Sequence, residues 1–382
     1  MNNLHISLTE FRNESRVLKQ TSTISTLPGI EHVYIAALLA DDLNKEEDIG
    51  DKVSLKRFAL KTRGLNKGLL AQLLKYIEFV FRVLFFYKNK DVGMVNIHAL
   101  GLLPLGCLLK LVYGCKLIYD THELETETNG LRGLRKKIGK WVERLLIKKS
   151  DHVFVVSENI ADWYRDTYKI PAVTVVLNAS HAQQIEKNDY FRKIFCLRKD
   201  QVIVLYQGGL ASGRGIDLLM EAFKQRTDDK VIIIFMGYGN LEKECQLASK
   251  FYDTIFFHKA VPPSVLLSYT VSADVGISFI ENTCLSYYFC MPNKLFEYAI
   301  AGLPVIVSNM KEMREMVEHY QMGVVVKGNK AGEINKAIDE LIKLDLTELK
   351  RNARKAAKDN SWEVQEVKML NVYRAMSAGI RE

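Results

Sequence analysis

The constraint that most narrows the possible folds is a rhythm: short runs of β-branched and aliphatic residues alternate with helix-length segments along the whole chain. Such alternation specifies parallel strands joined by crossover helices, with both faces of each sheet covered. In the first half the strand-like runs are residues 4–8, 33–39, 92–97, 116–119, 153–156 and 173–177. The rhythm restarts at 202–206 and continues at 231–236, 254–257, 275–279, 305–307 and 324–326. Between the halves, residues 178–200 are polar, lack a sustained apolar period, and fit a connector carrying one short helix. A chain of 382 residues also exceeds what one core usually supports. The expected fold is therefore α/β, with two Rossmann-like doubly wound domains facing a central cleft. Their expected limits are 1–185 and 195–361, and a helix over 362–382 packs on either domain, including a return to the first. Open α/β sheets bind ligands beyond the C-terminal ends of their strands, which places function between the domains.

Composition excludes several classes. Hydrophobic residues at 48% and charged residues at 26% are incompatible with a disordered chain. A net charge of +8 implies an anionic partner without saying which. The six cysteines form no C-x-x-C pair and have no histidines at zinc-ligand spacing, so reduced and mostly buried thiols are expected. The first residues show no basic start followed by an apolar run, which points to the cytoplasm. The most apolar stretch, residues 99–113, is too short to span a bilayer and is expected as a buried helix.

Two segments of the second half carry chemistry. In the first, Gly208, Gly209, Gly213 and Gly215 lie between a strand and the helix expected over 218–224. Glycines let the backbone approach a ligand, and a helix start offers N–H groups and a positive dipole end, with Arg214 as a fixed cation. A turn that needs positive φ beside a solvated arginine fits the same residues. In the second, Pro292 opens a helix that stops at Gly302, just before a strand. Backbone N–H groups of Asn293, Lys294 and Leu295 suit a diphosphate, and Glu297, one turn further in, suits ribose hydroxyls. A surface ion pair between Lys294 and Glu297 is the alternative.

With these residues in view, the chain resembles the family 4 glycosyltransferases of GT-B fold, over nearly its full length. Three further stretches agree: Asn13-Glu-Ser-Arg-Val-Leu-Lys19, Tyr119-Asp-Thr-His-Glu-Leu124 and Ser272-Ala-Asp-Val-Gly-Ile-Ser278. The resemblance implies that Arg214 contacts the donor diphosphate and that Glu297 is the second, ribose-binding glutamate of the E-x7-E pair. The first glutamate is replaced by Phe289, which leaves Glu281 or a main-chain group to meet the sugar. Where the family often has arginine this chain has Gly209, so Lys294 is expected to supply the second phosphate cation. The implied reaction moves a sugar from a UDP- or GDP-sugar to a glycan or polyprenyl-linked acceptor, with retention and without a metal or separate cofactor. No D-x-D follows a strand, and leaving-group charge would be met by Arg214, Lys294 and the helix start. The implied setting is bacterial envelope, capsule or exopolysaccharide synthesis.

His122 ends an expected strand of the first domain, where an imidazole can hydrogen-bond a sugar hydroxyl or accept a proton. Capping the next helix is the competing role. Glu123 is the weaker neighbour, because adjacent residues of an extended segment point opposite ways. The catalytic set is thus His122, Arg214 and Lys294.

Two helical segments of the first domain address a membrane. Leu134, Ile138, Trp141, Val142, Leu145 and Leu146 form one stripe, flanked by Arg132, Arg135, Lys136, Lys137, Lys140, Arg144, Lys148 and Lys149, with Glu143 the local acid. That combination suits an anionic bilayer surface, while a stripe packed on the sheet is the alternative. Residues 69–87 are apolar nearly all round, with Tyr76, Phe79, Phe81, Phe85, Phe86 and Tyr87 at helical spacing. They suit an interface or a lipid-linked acceptor, and equally a buried helix or a dimer contact. Nucleic acid is not expected, since no aromatic strand platform is present. The chain is expected in the cytoplasm, peripheral to the inner face of the cell membrane. Rival functions are a nucleotide-sugar epimerase of the same architecture and a non-catalytic partner of a membrane transferase. A nicotinamide enzyme is weaker, because Leu241 and Glu242 stand where its third glycine is awaited.

Overall fold

The computed structural model describes residues 1–12, 14–66 and 68–378. Asn13 of the quoted motif and residues 379–382 of the expected tail helix lie outside the described residues. The chain forms two compact units: Met1–Val176 with Glu366–Glu382, and Leu177–Gln365.

Among the described residues, unit one is built on eight strands: β1 Asn2–Ile6, β2 Val33–Leu38, β3 Glu46–Gly50, β4 Val53–Phe58, β5 Val92–Ile97, β6 Lys116–Asp120, β7 His152–Val155 and β8 Val173–Val175. Their order is β3-β4-β2-β1-β5-β6-β7-β8, with every pair parallel except β3 and β4. β1 is buried throughout, as a strand covered on both faces must be. The sequence rhythm did not anticipate the β3–β4 hairpin. β3 is Glu-Glu-Asp-Ile-Gly and almost wholly exposed at the sheet edge, held by pairing Glu46 with Lys56 and Glu47 with Arg57. Charge on an edge strand hides it from an apolar-run search and protects it from further pairing.

Right-handed crossovers put the helices Leu69–Tyr87, Leu103–Tyr113 and Gly133–Leu146 on one face of this sheet, because each connection steps across the strand order in the same direction. Helix Ser15–Ser25 steps back from β1 to β2 and covers the other face. From it, Arg16 grips Asp120 at the end of β6 with a guanidinium–carboxylate contact of 2.7 Å, and donates to the Val176 carbonyl at 2.6 Å. Gln20, one turn on, donates to the same carboxylate at 2.8 Å.

Unit two has six parallel strands: β9 Val202–Gly209, β10 Val231–Tyr238, β11 Ile255–Lys259, β12 Val275–Ser278, β13 Val305–Ser308 and β14 Gly323–Val326, ordered β11-β10-β9-β12-β13-β14. Val204 and Tyr206 of β9 join one core cluster, while Ile203 and Leu205 join the other, so apolar layers cover both faces. The boundary between units falls at Val176, ahead of the polar connector, because the connector docks on unit two. Lys187 donates to the Ala273 carbonyl at 2.6 Å, Asn188 donates to the Ser268 carbonyl at 2.8 Å, and Phe191 is buried. Helix Trp362–Ala378 belongs to unit two up to Gln365 and to unit one from Glu366. Trp362 is buried with its N–H on the Ser180 carbonyl at 3.0 Å, and Tyr373 is buried with its hydroxyl bonded to Asn96. Of the cysteines, Cys115 and Cys245 are buried, Cys107, Cys284 and Cys290 are intermediate and Cys196 is exposed, so the expectation of mostly buried thiols is too strong.

The Arg16→Met variant strands a buried carboxylate and should lose about 3–5 kcal/mol of unfolding free energy in unit one. Urea denaturation measures it, and a loss below about 1 kcal/mol would show that the pair is not a structural anchor.

Candidate functional site

In unit one, ionisable groups gather at the C-terminal ends of three adjacent strands. His5 lies on β1, His98 follows β5, Asp120 ends β6 and His122 stands two residues beyond it. His5 Nδ1 and His98 Nε2 are 2.8 Å apart, His98 Nδ1 and His122 Nε2 3.1 Å, and His98 Nδ1 and Asp120 Oδ2 3.2 Å. Burial pushes His5 well below the usual histidine range and lowers His98 as well. Burial alone would raise Asp120, but Arg16 and the two imidazoles hold it well below the usual carboxylate range. An ionised Asp120 requires a proton on His98 Nδ1, so neutral His98 accepts at Nε2 from the N–H of His5. His122 Nε2 lies 3.1 Å from His98 Nδ1 and 3.7 Å from Asp120 Oδ2, so its ring edge faces the same ionised carboxylate. The half-exposed His122 ring is thus oriented by groups behind it instead of capping a helix. Glu123 beside it is exposed.

The potential ligand atoms of His98, Asp120 and His122 lie within 4.8 Å of one another, a cluster that sequence spacing did not show. The donor set fits a dication poorly. Asp120 is already held by Arg16 and Gln20, and the guanidinium 2.7 Å away opposes added positive charge. His5 and His98 also escaped the sequence search. Their signal was position: each ends or follows a central parallel strand, where such sheets place function.

In unit two the glycine segment forms the turn between β9 and helix Ile216–Lys224. Gly208, Gly213 and Gly215 adopt φ of 112°, 80° and 69°, values that favour glycine. A Cβ on Gly215 would sit 2.4 Å from Phe279, so this turn also needs the space. Pro292 caps helix Asn293–Ile300. Asn293 and Lys294 occupy its first turn, where N–H groups have no intrahelical carbonyl, but the Leu295 N–H donates to the Pro292 carbonyl at 3.0 Å and its side chain is buried. The expected three-residue anion cradle therefore narrows to Asn293 and Lys294.

Lys294 does not pair with Glu297 at the surface. Its ammonium lies 3.6 Å from the centroid of the Tyr206 ring and turns toward Gly208. Desolvation, then the nearby Arg214, push it down to about 7, with Glu297 opposing. The Arg214 guanidinium stacks 4.8 Å from the centroid of the Tyr287 ring. Glu297 accepts from Gln207 at 2.5 Å, and Gln207 accepts from Thr270 at 2.8 Å, so the carboxylate is held by a buried chain. Gly209 leaves open space where a side chain would begin. Glu281 is brought to the glycine turn by its own N–H, which donates to the Gly213 carbonyl at 3.0 Å, and Phe289 lies against Tyr288. Arg214, Lys294, Glu297 and Glu281 thus gather around one glycine turn.

Helix Gly133–Leu146 is inverted relative to a helix that packs its stripe on a sheet. Leu134 (72% exposed), Ile138, Trp141 (64%) and Leu145 face outward. Inward, Glu143 is buried and accepts from the hydroxyls of Tyr119, Tyr164 and Tyr168 at 2.9, 2.8 and 2.7 Å. Burial raises that carboxyl despite the three donors. The local acid for the basic face is Glu127, which pairs with Lys136 and Lys140, while Arg132, Arg135, Lys137, Arg144, Lys148 and Lys149 are exposed. Helix Leu69–Tyr87 exposes Leu69, Leu70, Leu73, Leu74, Ile77, Phe81, Phe85 and Phe86. The expected buried helix over 99–113 is likewise only partly so, since Leu111 and Val112 are exposed at its end. Among the described residues no helix is long and apolar enough to cross a membrane.

The family described as Glycosyl transferases group 1 matches residues 187–360, and Glycosyltransferase Family 4 matches residues 29–182. An uncharacterized glycosyltransferase of Methanocaldococcus jannaschii is 23% identical over 210 residues, 53% of this chain and 52% of its own. The lipopolysaccharide 1,2-N-acetylglucosaminetransferase of Salmonella typhimurium is 24% identical over 195 residues, 49% of this chain and 46% of its own. The chain spans about half the length of these curated relatives. Among solved structures, sucrose-phosphate synthase from Thermosynechococcus elongatus superposes with a TM-score of 0.82 at 17% identity, covering 99% of this chain and all of that one, 100%. Anabaena HepE in complex with UDP-glucose gives 0.72 at 13%, covering 100% and 99%. At such identities the likeness establishes the fold, two parallel-sheet α/β units of GT-B type.

His5 supplies a test of the buried histidine chain. Burial holds its folded-state value well below the ordinary histidine value of about 6.5, so the unfolded chain binds the extra proton first. Its contribution is intact above about pH 6.5 and is lost as pH falls below that. The Tm of His5→Gln should therefore improve relative to the parent between about pH 7 and pH 5, and a difference constant with pH would contradict a buried neutral imidazole.

Proposed function

The chain belongs to the family 4-like glycosyltransferases of GT-B fold, and from that membership we propose that it transfers a sugar from a nucleotide-diphosphate donor held by unit two. The observation that carries this is the pair of cations at the glycine turn. Lys294, reaching from the helix start toward Gly208, supplies the charge missing at Gly209, and Arg214 supplies the other. Together with the Asn293 and Lys294 N–H groups they meet the negative charge that develops on the departing nucleotide. Glu297, fixed by Gln207, accepts the ribose hydroxyls. Glu281 contacts the sugar in place of the glutamate replaced by Phe289. Donor chemistry of the UDP-sugar kind is supported by HepE, whose structure holds UDP-glucose, with GDP-sugars the alternative to screen.

On the acceptor side, His122 hydrogen-bonds the acceptor from a ring held by His98. The reaction proceeds with retention and without a metal, consistent with a carboxylate at Asp120 that is already neutralised by Arg16. The acceptor is a glycan or polyprenyl-linked saccharide of a bacterial envelope, capsule or exopolysaccharide, a setting supported by the lipopolysaccharide enzyme among the relatives. A peripheral position on an anionic bilayer, at the cytoplasmic face, is supported by the outward stripe and exposed cations of helix Gly133–Leu146.

Isothermal titration with UDP and GDP, alone and as sugar conjugates, tests the donor site. Phosphate binding favours the Lys294 ammonium, so affinity should fall as pH rises above about 7, toward a limit of about tenfold per pH unit, and Lys294→Gln should flatten the profile. Glu297→Ala should cut turnover by about 100-fold while the protein still unfolds in one cooperative transition, lowered only by the loss of the Gln207 contact. Unaltered kinetics in Glu297→Ala, or a pH profile that Lys294→Gln leaves in place, would remove the assignment. For the membrane, flotation with phosphatidylglycerol vesicles should be lost in the charge reversal of Arg135, Lys137, Arg144 and Lys148, which avoids the lysines tied to Glu127. Retained binding would count against this surface.

A further inference from the structure

Helices Leu69–Tyr87 and Leu103–Tyr113 of unit one do not close on each other. Between them lies a trough of about 390 Å³, floored by the fully buried Leu105 and walled by Ile77, Val80 and Phe81 on one side and Pro104 and Leu108 on the other. Below it the helices are joined where the Tyr113 hydroxyl donates to the Leu84 carbonyl at 2.5 Å. Ile77 and Phe81 at the rim are 40% and 54% exposed, so the trough opens to the surface. We infer that this trough holds the hydrocarbon chain of the lipid-linked acceptor, an assignment that rests on the transferase reading above.

The lining decides the chemistry of the guest. Apart from the Tyr76 hydroxyl its side chains are apolar, and Pro104 contributes no N–H. Water would find too few polar partners, and an extended peptide would bury carbonyl and amide groups without partners. A hydrocarbon chain has no such groups to satisfy. In the same helical layer, helix Gly133–Leu146 exposes Arg132, Arg135, Lys137 and Arg144, which an anionic lipid surface complements and a second copy carrying the same cations does not.

Topology decides which lipid. Helix Leu103–Tyr113 descends from the end of β5, so Pro104 lies only six residues after His98, at the edge of the sheet where His122 stands. The trough runs away from that edge, from Pro104 and Leu105 toward Leu108. A chain lying in it has its head group at the strand ends, beside the imidazole that the transfer reaction requires. An ordinary membrane lipid has no need of that register.

The test uses the full chain on vesicles of phosphatidylcholine and phosphatidylglycerol, with two photoactivatable probes: geranylgeranyl phosphate and phosphatidylglycerol, each carrying a diazirine in its chain. Mass spectrometry should find the prenyl probe on residues lining the trough. Leu108→Trp, which fills the trough, and Ile77→Asp, which charges its rim without touching the core, should each reduce that labelling about tenfold. The thermal shift produced by UDP should be unchanged in both. Prenyl labelling elsewhere, labelling of the trough by phosphatidylglycerol to the same extent, or undiminished labelling in Ile77→Asp would each overturn the assignment. If UDP fails to stabilise the parent protein, it is the donor reading that falls, and the labelling pattern still decides whether the trough takes a prenyl chain.

Discussion

Much of unit one depends on a single buried ion pair. Arg16 comes from helix Ser15–Ser25 and Asp120 from the end of β6, and with Asp120 fully buried the carboxylate has no water to fall back on. Removing charges from water is costly, and such a pair persists only where every remaining lone pair and N–H is satisfied. Here Gln20, His98 and the Val176 carbonyl meet that demand. The consequence reaches beyond stability. Because Asp120 stays ionised, the proton on His98 is fixed, the direction of its bond from His5 is fixed, and the His122 ring is oriented. The half-exposed histidine thus inherits its geometry from an arginine on helix Ser15–Ser25.

Unit two reaches a comparable precision without a buried ion pair at its centre. Its organising contacts are close backbone approaches and one hydroxyl. A Cβ on Gly237 would lie 1.9 Å from the Gly208 carbonyl oxygen, and one on Gly239 would lie 2.2 Å from that of Leu210, so β9 and β10 approach too closely there for side chains. Tyr298 sends its hydroxyl between β9 and β12, donating to the Leu205 carbonyl at 2.9 Å while accepting from the Gln207 N–H at 3.0 Å. Since Tyr298 adjoins Glu297 on one helix and Gln207 grips Glu297 directly, strand and helix are registered at the position where the carboxylate projects.

The parallel-sheet architecture was legible because fully covered strands must be continuous apolar runs, and those runs are visible at β1, β2 and from β5 to the end of β14. The hairpin at residues 46–58 was not, because an edge strand is stabilised by charge pairs that carry no apolar period. Arg214, Lys294 and Glu297 could be named from glycine spacing and the Pro292 helix start. That Lys294 would fold back over Tyr206 instead of extending into solvent could not, since only the tertiary structure sets an aromatic ring beside it. His5 and His98 were passed over for a similar reason: they are distant in sequence, and only the β1–β5 pairing makes them neighbours.

Helix Gly133–Leu146 shows where periodicity misleads. A stripe of Leu134, Ile138, Trp141 and Leu145 on a helix beside a sheet ordinarily marks the packed face. The opposite orientation wins here because Glu143 lies on the other side, and three tyrosine hydroxyls from β6 and helix Glu158–Tyr168 converge on it. Turning the stripe inward would carry this acid out and leave three buried phenols unpartnered, each costing about 1–3 kcal/mol. Burying four apolar side chains offsets that only if the sheet offers a complementary surface, and the tyrosines already occupy the space. The stripe is therefore left in water by the same contacts that hold the helix in place, among cations that cannot approach one another. Such a face gains free energy only from a surface that is apolar in depth and anionic at its boundary, which is the physical basis of the bilayer proposed for it.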